Sequence, residues 1–242
     1  MKKKSLKPVK KALITGASSG LGYEIAATLI TKGISVVNIS RNRTGLKGEN
    51  IQTDLTSNAS ITRALGRIRK NHSDANLLIQ CAGVLHWRAA GKNLAVTVDN
   101  DIAVNLSGMI KIADGIVPII KKNRGDIVII GSTSSFNTPP GSSVYCAAKH
   151  GVLGYIKALQ AECKNEDIRI LGIHPGGFKS QFHRKAKTSI DHSTLMDPKE
   201  LARLIVSLLA LPRNMEVSEI IINRKAVPLH TVEDTKSRGS NP

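Results

Sequence analysis

Aromatic residues are scarce in this chain: one tryptophan, three tyrosines and three phenylalanines among 242 residues. No basic strand is interleaved with rings in the way a stacking nucleic-acid surface requires. Cysteine is equally rare. Cys81, Cys146 and Cys163 are too few and too irregularly spaced for a disulfide framework or a zinc site, so a reduced, cytoplasmic setting is the expectation. No apolar run reads as long enough to cross a bilayer, which argues against a membrane partner. The basic start, MKKKSLKPVKK, is followed by no apolar h-region before ALITGASSG, so it does not read as a secretory signal. Acidic residues are outnumbered 18 to 35, for a formal net charge of +17. The excess is dispersed over RNRTGLKG, KKNRG, RKAK and NRK. With no helix-turn-helix pattern and no zinc-finger spacing, nucleic acid is not the expected partner. A phosphate-bearing cofactor or an acidic acyl carrier fits that charge better. The seven histidines are scattered without metal-ligand spacing, and no metal is implied.

What is present is an alternation of apolar runs with helix-like segments. Strands are expected at 11–16, 35–40, 50–54, 75–83, 126–132, 168–176 and 219–224. Helices are expected at 20–33, 58–71, about 93–122, about 143–165 and about 197–211. The last has its own start signal, with Asp197 as N-cap, Pro198 at the first helical position and Glu200 two further on. The strands are continuously apolar, as suits a parallel sheet covered on both faces. Strand–helix alternation throughout predicts an α/β, doubly wound, Rossmann-like fold. The length suits one domain, spanning 11–224 between a basic extension (1–10) and a polar tail (225–242).

The first strand runs into ITGASSGLG (14–22). Gly16, Gly20 and Gly22 permit a tight turn and close backbone approach. The start of the following helix offers free N–H groups to an anion. Ser18, Ser19 and Leu21 lie in the same loop. The spacing is TGxxxGxG rather than GxGxxG, and a plain tight turn explains the glycines equally simply. The second strand ends ISRNR. An acid at that place would pair with a ribose 2′-hydroxyl, whereas an arginine suits a 2′-phosphate. With Arg41 and Arg43 there and no acid, NADP is favoured and NAD stays open. The plainer alternative is that both arginines solvate a loop.

TGASSGLG (15–22), CAG (81–83), VNLSG (104–108), YCAAK (145–149) and HPGGFKS (174–180) occur in that order. The chain thereby resembles the short-chain dehydrogenase/reductase family over about residues 11 to 224. The resemblance implies a seven-stranded parallel sheet of order 3-2-1-4-5-6-7 and a dimer or tetramer of identical chains. It also implies catalytic roles for Ser132, Tyr145 and Lys149, with Asn105 supporting a water that leads to Lys149. Asp54, with Leu55 beside it, falls where the family contacts adenine. Cys81, Ala82 and Gly83 flank the cofactor, and the Pro175–Gly176 turn precedes a substrate lid at about 177–196. Two features depart from the family pattern. Cys81 stands where asparagine is usual, and strands two and three are joined by about nine residues, too few for the customary helix.

Carbonyl reduction needs a hydride and a proton. Tyrosine ordinarily titrates near 10, and a cation within about 4–6 Å favours its charged form. Lys149 lies one helical turn from Tyr145, on the same face, so the pair reads as an acid–base couple drawn toward neutral pH. Ser132 reads as the hydrogen-bond donor to the substrate oxygen. Cys146 reads as packing. Five of the seven rings, Trp87, Phe136, Tyr145, Phe178 and Phe182, fall at or beyond C-terminal strand ends, where open α/β sheets bind ligands. Trp87, Phe136, Phe178 and Phe182 are thus the expected lining of a partly apolar pocket, or else ordinary loop anchors. The expected activity is NADP(H)-linked hydride transfer between nicotinamide and a small carbonyl or alcohol. A 3-oxoacyl group on an acyl carrier is a narrower candidate substrate. A non-catalytic NADP-binding sensor or scaffold is the rival, though it would not need Ser132, Tyr145 and Lys149 together.

Overall fold

The computed structural model describes residues 9–180 and 192–225. Seven strands form one parallel sheet: β1 (Lys11–Thr15), β2 (Ser35–Ser40), β3 (Glu49–Gln52), β4 (Leu77–Gln80), β5 (Asp126–Ile130), β6 (Arg169–Pro175) and β7 (Glu219–Ile222). Their order is β3-β2-β1-β4-β5-β6-β7, every neighbouring pair parallel. Central strands β4, β5 and β6 are buried along their whole length, which is why they read as unbroken apolar runs.

Among the described residues six α-helices cover the sheet: α1 (Gly20–Thr31), α2 (Asn58–Asn71), α3 (Ala95–Ile102), α4 (Gly108–Asn123), α5 (Ser143–Glu162) and α6 (Pro198–Leu209). On one face Ile25 and Leu29 of α1 meet Leu201 and Ile205 of α6 over Ile14, Ile79 and Ile173. On the other, Ile68 of α2, Ile112 and Ile116 of α4 and Ile156 of α5 cover Leu13, Leu78 and Ile127. The two cores make the doubly wound sandwich. β1 lies between β2 and β4, so the chain reverses its winding direction there, and a crevice opens above the C-terminal ends of β1 and β4.

The helix start at Asp197 forms as expected: its carboxylate accepts from Lys199 N at 2.8 Å. The long helix expected over 93–122 differs in detail. A π-helical turn, Ala103–Ser107, joins α3 to α4. The combined helix Ala95–Asn123 has an 18-residue window of mean hydropathy 1.5, enough by length and composition to cross a membrane. That corrects the expectation that no such run exists. Its inner side is nevertheless core, with Ile112, Ile116 and Ile120 fully buried. The crossover between β2 and β3 carries no helix. The buried Asn38 compensates: its Oδ1 accepts from Ala17 N (3.1 Å), and its Nδ2 donates to Asn42 O (3.0 Å) and Asn50 Oδ1 (2.9 Å). One side chain thus ties the glycine loop to the shortened crossover.

The opposite end of the sheet is fastened by charge. Asp126 accepts two bonds from Arg169, each 2.9 Å, and a further one from Arg213, with Asp126 and Arg169 both buried. The bidentate geometry offsets the cost of removing both ions from water.

Candidate active site

A cavity of about 1100 Å³ fills the crevice above the strand ends. Its floor is the loop between β1 and α1, from which Gly16, Ser18, Ser19, Gly20, Leu21 and Gly22 all face it. Two glycines are sterically required. A Cβ on Gly16, which has φ +77°, would stand 2.9 Å from Ala82 Cα, and one on Gly22 would stand 2.4 Å from Gly16 O. Ser19 is the extended N-cap of α1 yet makes no side-chain cap bond. No side-chain cap therefore competes with a ligand anion at the start of α1, although the Gly22 N–H is already directed at the Cys81 thiol.

Arg41, Asp54 and Leu55 line the same cavity. The Asp54 carboxylate is held below its ordinary range by bonds from Thr56 N and Oγ1, with a smaller pull from Arg41. Arg43 is exposed and does not line the cavity.

The CAG segment follows β4 and is placed by Thr15. Thr15 Oγ1 accepts from Cys81 N (3.0 Å) and Ala82 N (3.2 Å) while donating to Gln80 Oε1 (2.9 Å). The segment is therefore fixed through its backbone, which explains how cysteine is accommodated at position 81. Burial pushes the Cys81 thiol up to about 12, against a smaller opposing pull from Lys149, so it is not a nucleophile near neutral pH. Cys81, Ala82 and Gly83 all line the cavity, as do Pro175 and Gly176 at the end of β6.

Ser132, Tyr145 and Lys149 converge on the cavity wall. Ser132 follows β5 and caps a 3-10 turn, Thr133–Ser135, by accepting from Ser134 N at 3.0 Å. Tyr145 and Lys149 lie on the buried face of α5. The seryl hydroxyl is hydrogen-bonded to the Tyr145 phenol and draws its pKa down, but burial outweighs it and pushes the phenol up to about 12. Lys149 Nζ donates to Ile130 O at 3.0 Å and lies 5.7 Å from the centre of the Tyr145 ring. Burial pushes Lys149 down to about 8. The expected downward tuning of the tyrosine by the lysine is therefore corrected: the ammonium is directed at a backbone carbonyl, and burial dominates both groups. The protonated phenol is what the site holds ready.

Asn105 does not line the cavity. It sits in the π-helical turn, accepts from Val84 N (3.0 Å) and donates to Val84 O (2.9 Å). It positions the strand end after CAG through both of those bonds. Trp87 and Phe178 line the cavity, and Phe178 also forms a bridge to Met196. Phe136 does not line it: 40% exposed, it stacks edge-on against His174 at 5.1 Å. The turn after Ser132 carries Phe136 past the cavity rim. Phe182 and most of the expected lid lie outside the described residues.

Several residues at or near the site escaped the sequence reading. Asn38 and Thr15 hold the loops. Arg224 lines the cavity beyond β7 and donates to Thr194 Oγ1 at 2.8 Å. His174 is completely buried and pushed down to about 4, first by burial and then by the charge of Lys149, so it stays neutral. His86 lines the cavity and is paired with Asp101 at 2.6 Å. Of these Asn38 and His174 had a local signal, a polar residue inside an apolar strand.

The cradle fits a dinucleotide. Side-chain-free glycines meet a helix start without a side-chain cap, a cation at one end and a phenol–serine pair at the other. The loop and Arg41 would hold its phosphates, with Asp54 toward the adenine and Lys149 at the reacting end. Bound there, the nicotinamide would supply hydride chemistry. The chain's own contribution is a donor hydroxyl at Ser132 for an oxygen and a transferable proton on Tyr145.

This fold and site define a nicotinamide-dependent oxidoreductase of the Rossmann type. A family model described as short chain dehydrogenase matches residues 10–191, and the chain belongs to the short-chain dehydrogenase/reductase family. The 3-oxoacyl-acyl-carrier-protein reductase of Buchnera aphidicola is 31% identical over 184 residues, covering 72% of this chain and 75% of that protein. The reductase of the same name from Salmonella typhimurium is 30% identical over 190 residues, covering 72% and 76%. Among solved structures, an alcohol dehydrogenase from Thermococcus sibiricus, complexed with 5-hydroxy-NADP, superposes with a TM-score of 0.79 at 21% identity, covering 88% of this chain and 95% of that one. A 3-ketoacyl-acyl-carrier-protein reductase from Brucella melitensis, complexed with NADH, gives 0.78 at 24% identity, covering 89% and 96%. At those identities the structural likeness speaks to the fold.

Proposed function

We propose that this protein is an NADP(H)-dependent oxidoreductase that interconverts a small carbonyl compound and its alcohol. The observation that carries this reading is the convergence of Ser132, Tyr145 and Lys149 on one wall of the cavity that the glycine loop floors. Tyr145 delivers the proton in reduction, and Ser132 holds the carbonyl oxygen. Lys149 supplies the cation beside the reacting end. Preference for NADP is supported by Arg41 on the cavity wall and by the lack of an acid at the end of β2.

A 3-oxoacyl substrate on an acyl carrier is the narrower reading, supported by the two reductases matched at 30–31% identity and by the +17 charge. A reduced compartment such as the cytoplasm is supported by the three free thiols. Association into a homo-oligomer through the helices at 95–123 and 143–162 is supported by the apolar stretch of the former, only 39% of which is buried within the chain. Sedimentation at micromolar concentration tests that association, and a monomer there excludes it.

The test of the activity is a panel of carbonyls and alcohols run in both directions with NADP(H) and NAD(H). Turnover with NADPH preferred supports the reading. Tight NADPH binding with no turnover across the whole panel would leave the sensor or scaffold role in its place.

A further inference from the structure

The wall of the cavity that Tyr145 lines also carries a second polar device that the proton-transfer chemistry does not use. His86 Nδ1 lies 2.6 Å from Asp101 Oδ1. The two side chains are unequally placed: His86 is 43% exposed where it lines the cavity, and Asp101 is 1% exposed. A surface ion pair would be wet on both sides and worth little. Here a carboxylate has been taken out of water with one strong partner. Its other contacts are a long 3.5 Å approach from Asn100 Nδ2 at Oδ1 and none at Oδ2.

A carboxylate can only accept, so the hydrogen between the pair belongs to Nδ1. That leaves Nε2 as the nitrogen turned to the cavity. The backbone around His86 is held as firmly as the ring. Val84 is clamped through both its N–H and its C=O by Asn105. Arg88 N donates to Gly141 O at 2.8 Å, and Trp87 packs so closely on Gly141 that a Cβ there would come within 2.5 Å of the indole nitrogen. Asp101 is also among the charges felt at Tyr145, so the pair stands within electrostatic reach of the reacting phenol. An imidazole held by a buried carboxylate on a braced loop of the cavity wall is preorganised for recognition.

We propose that His86, oriented by Asp101, is a substrate-recognition residue. Its Nε2 exchanges a hydrogen bond with a hydroxyl near the reacting carbonyl, so the preferred substrates are hydroxyketones and the corresponding diols. The carboxylate behind the ring fixes its orientation and polarises it for that bond. A substrate carboxylate at the same place would meet the field of buried Asp101. This inference rests on the carbonyl–alcohol reading of the cavity.

The test compares hydroxyacetone with butanone, which match in size and differ in the hydroxyl, and adds pyruvate as a carboxylate arm. The NADPH-linked kcat/KM ratio of hydroxyacetone over butanone should fall about 3- to 10-fold in His86→Leu, the change lying in KM. His86→Gln, which keeps an acceptor oxygen, should recover part of it. An unchanged ratio in both variants overturns the proposal. So does a preference for pyruvate that is lost in His86→Leu, which would make the group an anion site. A separate readout uses Tyr145→Phe protein saturated with NADP⁺, titrated with hydroxyacetone by NMR. Adding His86→Leu should weaken that binding by a similar factor, and equal binding overturns the subsite. Retained turnover by Tyr145→Phe would instead fail the underlying mechanism and leave the binding difference standing.

Discussion

Lys149→Met should stabilise this protein at neutral pH while disabling it. Lys149 is 5% exposed, and burial drops its pKa from the ordinary 10.5 to about 8. That drop corresponds to about 3 kcal/mol of differential free energy set against the folded state. Methionine keeps the unbranched stem and removes the charge. It also leaves Ile130 O without its 3.0 Å donor, a loss of about 1 kcal/mol. The net gain is about 2 kcal/mol, which for a chain of this size raises Tm by about 4–8 °C. The sign follows from proton counting. Between pH 8 and 10.5 the unfolded chain holds this proton more tightly than the folded one, so wild-type stability rises with pH across that window. The penalty is complete below about 8 and gone above 10.5. The advantage of the variant is therefore largest at pH 7 and shrinks toward pH 10. Calorimetry of both proteins at pH 7 and 10 without added cofactor reads it directly. A variant less stable than wild type at pH 7, or an advantage that grows with pH, would refute the reasoning. A lysine kept at such cost points to function, and the variant should lose carbonyl reduction.

Arg41→Asp should weaken NADP(H) binding by about 10- to 100-fold, the scale of a charge-assisted phosphate contact. NAD(H) should be affected far less, and equal losses on titration would show that Arg41 does not read the 2′-phosphate. Trp87→Ala should raise KM for bulky apolar carbonyls by about 10-fold, from loss of ring area in the cavity wall. Unaltered kinetics across substrates of different size would make this ring a loop anchor. Asp126→Ala strips the buried Arg169 of its bidentate partner. It should cost about 3–5 kcal/mol, lowering Tm by about 6–20 °C, and a fall under about 2 °C by calorimetry would contradict the buried-pair argument.

The sheet and its order were legible because seven apolar runs alternate with helical periodicity and because the TGxxxGxG, YxxxK and PG motifs stand in register. The convergence of Ser132, Tyr145 and Lys149 was legible for the same reason: their positions depend on short spacings along elements that form as expected. What depends on tertiary burial was not. Nothing in YCAAK says that Lys149 points at Ile130 O or that burial raises Tyr145. The π-helical turn at AVNLS has no local signal, so the side-chain bonds of Asn105 to Val84 were not legible either. His86 and Asp101 are fifteen residues apart and meet only after α3 packs beside the loop following β4. Phe136 shows the limit of position as a guide. It lies beyond a strand end, yet the 3-10 turn after Ser132 aims it at His174. The apolar window in 95–123 was hidden by the polar residues spaced through it, among them Asn105, Lys111 and Asp114.

The most direct measurement of the central claim is the rate of NADPH-linked carbonyl reduction by Tyr145→Phe, with NADPH affinity measured on the same sample. The substitution removes one hydroxyl from a 9%-exposed ring whose packing in α5 is otherwise unchanged. The fold and the NADPH affinity should survive, and kcat should fall by about 10²- to 10⁴-fold, the loss expected for one acid–base group. A Tyr145→Phe protein that turns over at close to the wild-type rate would contradict the assignment of Tyr145 as the proton donor.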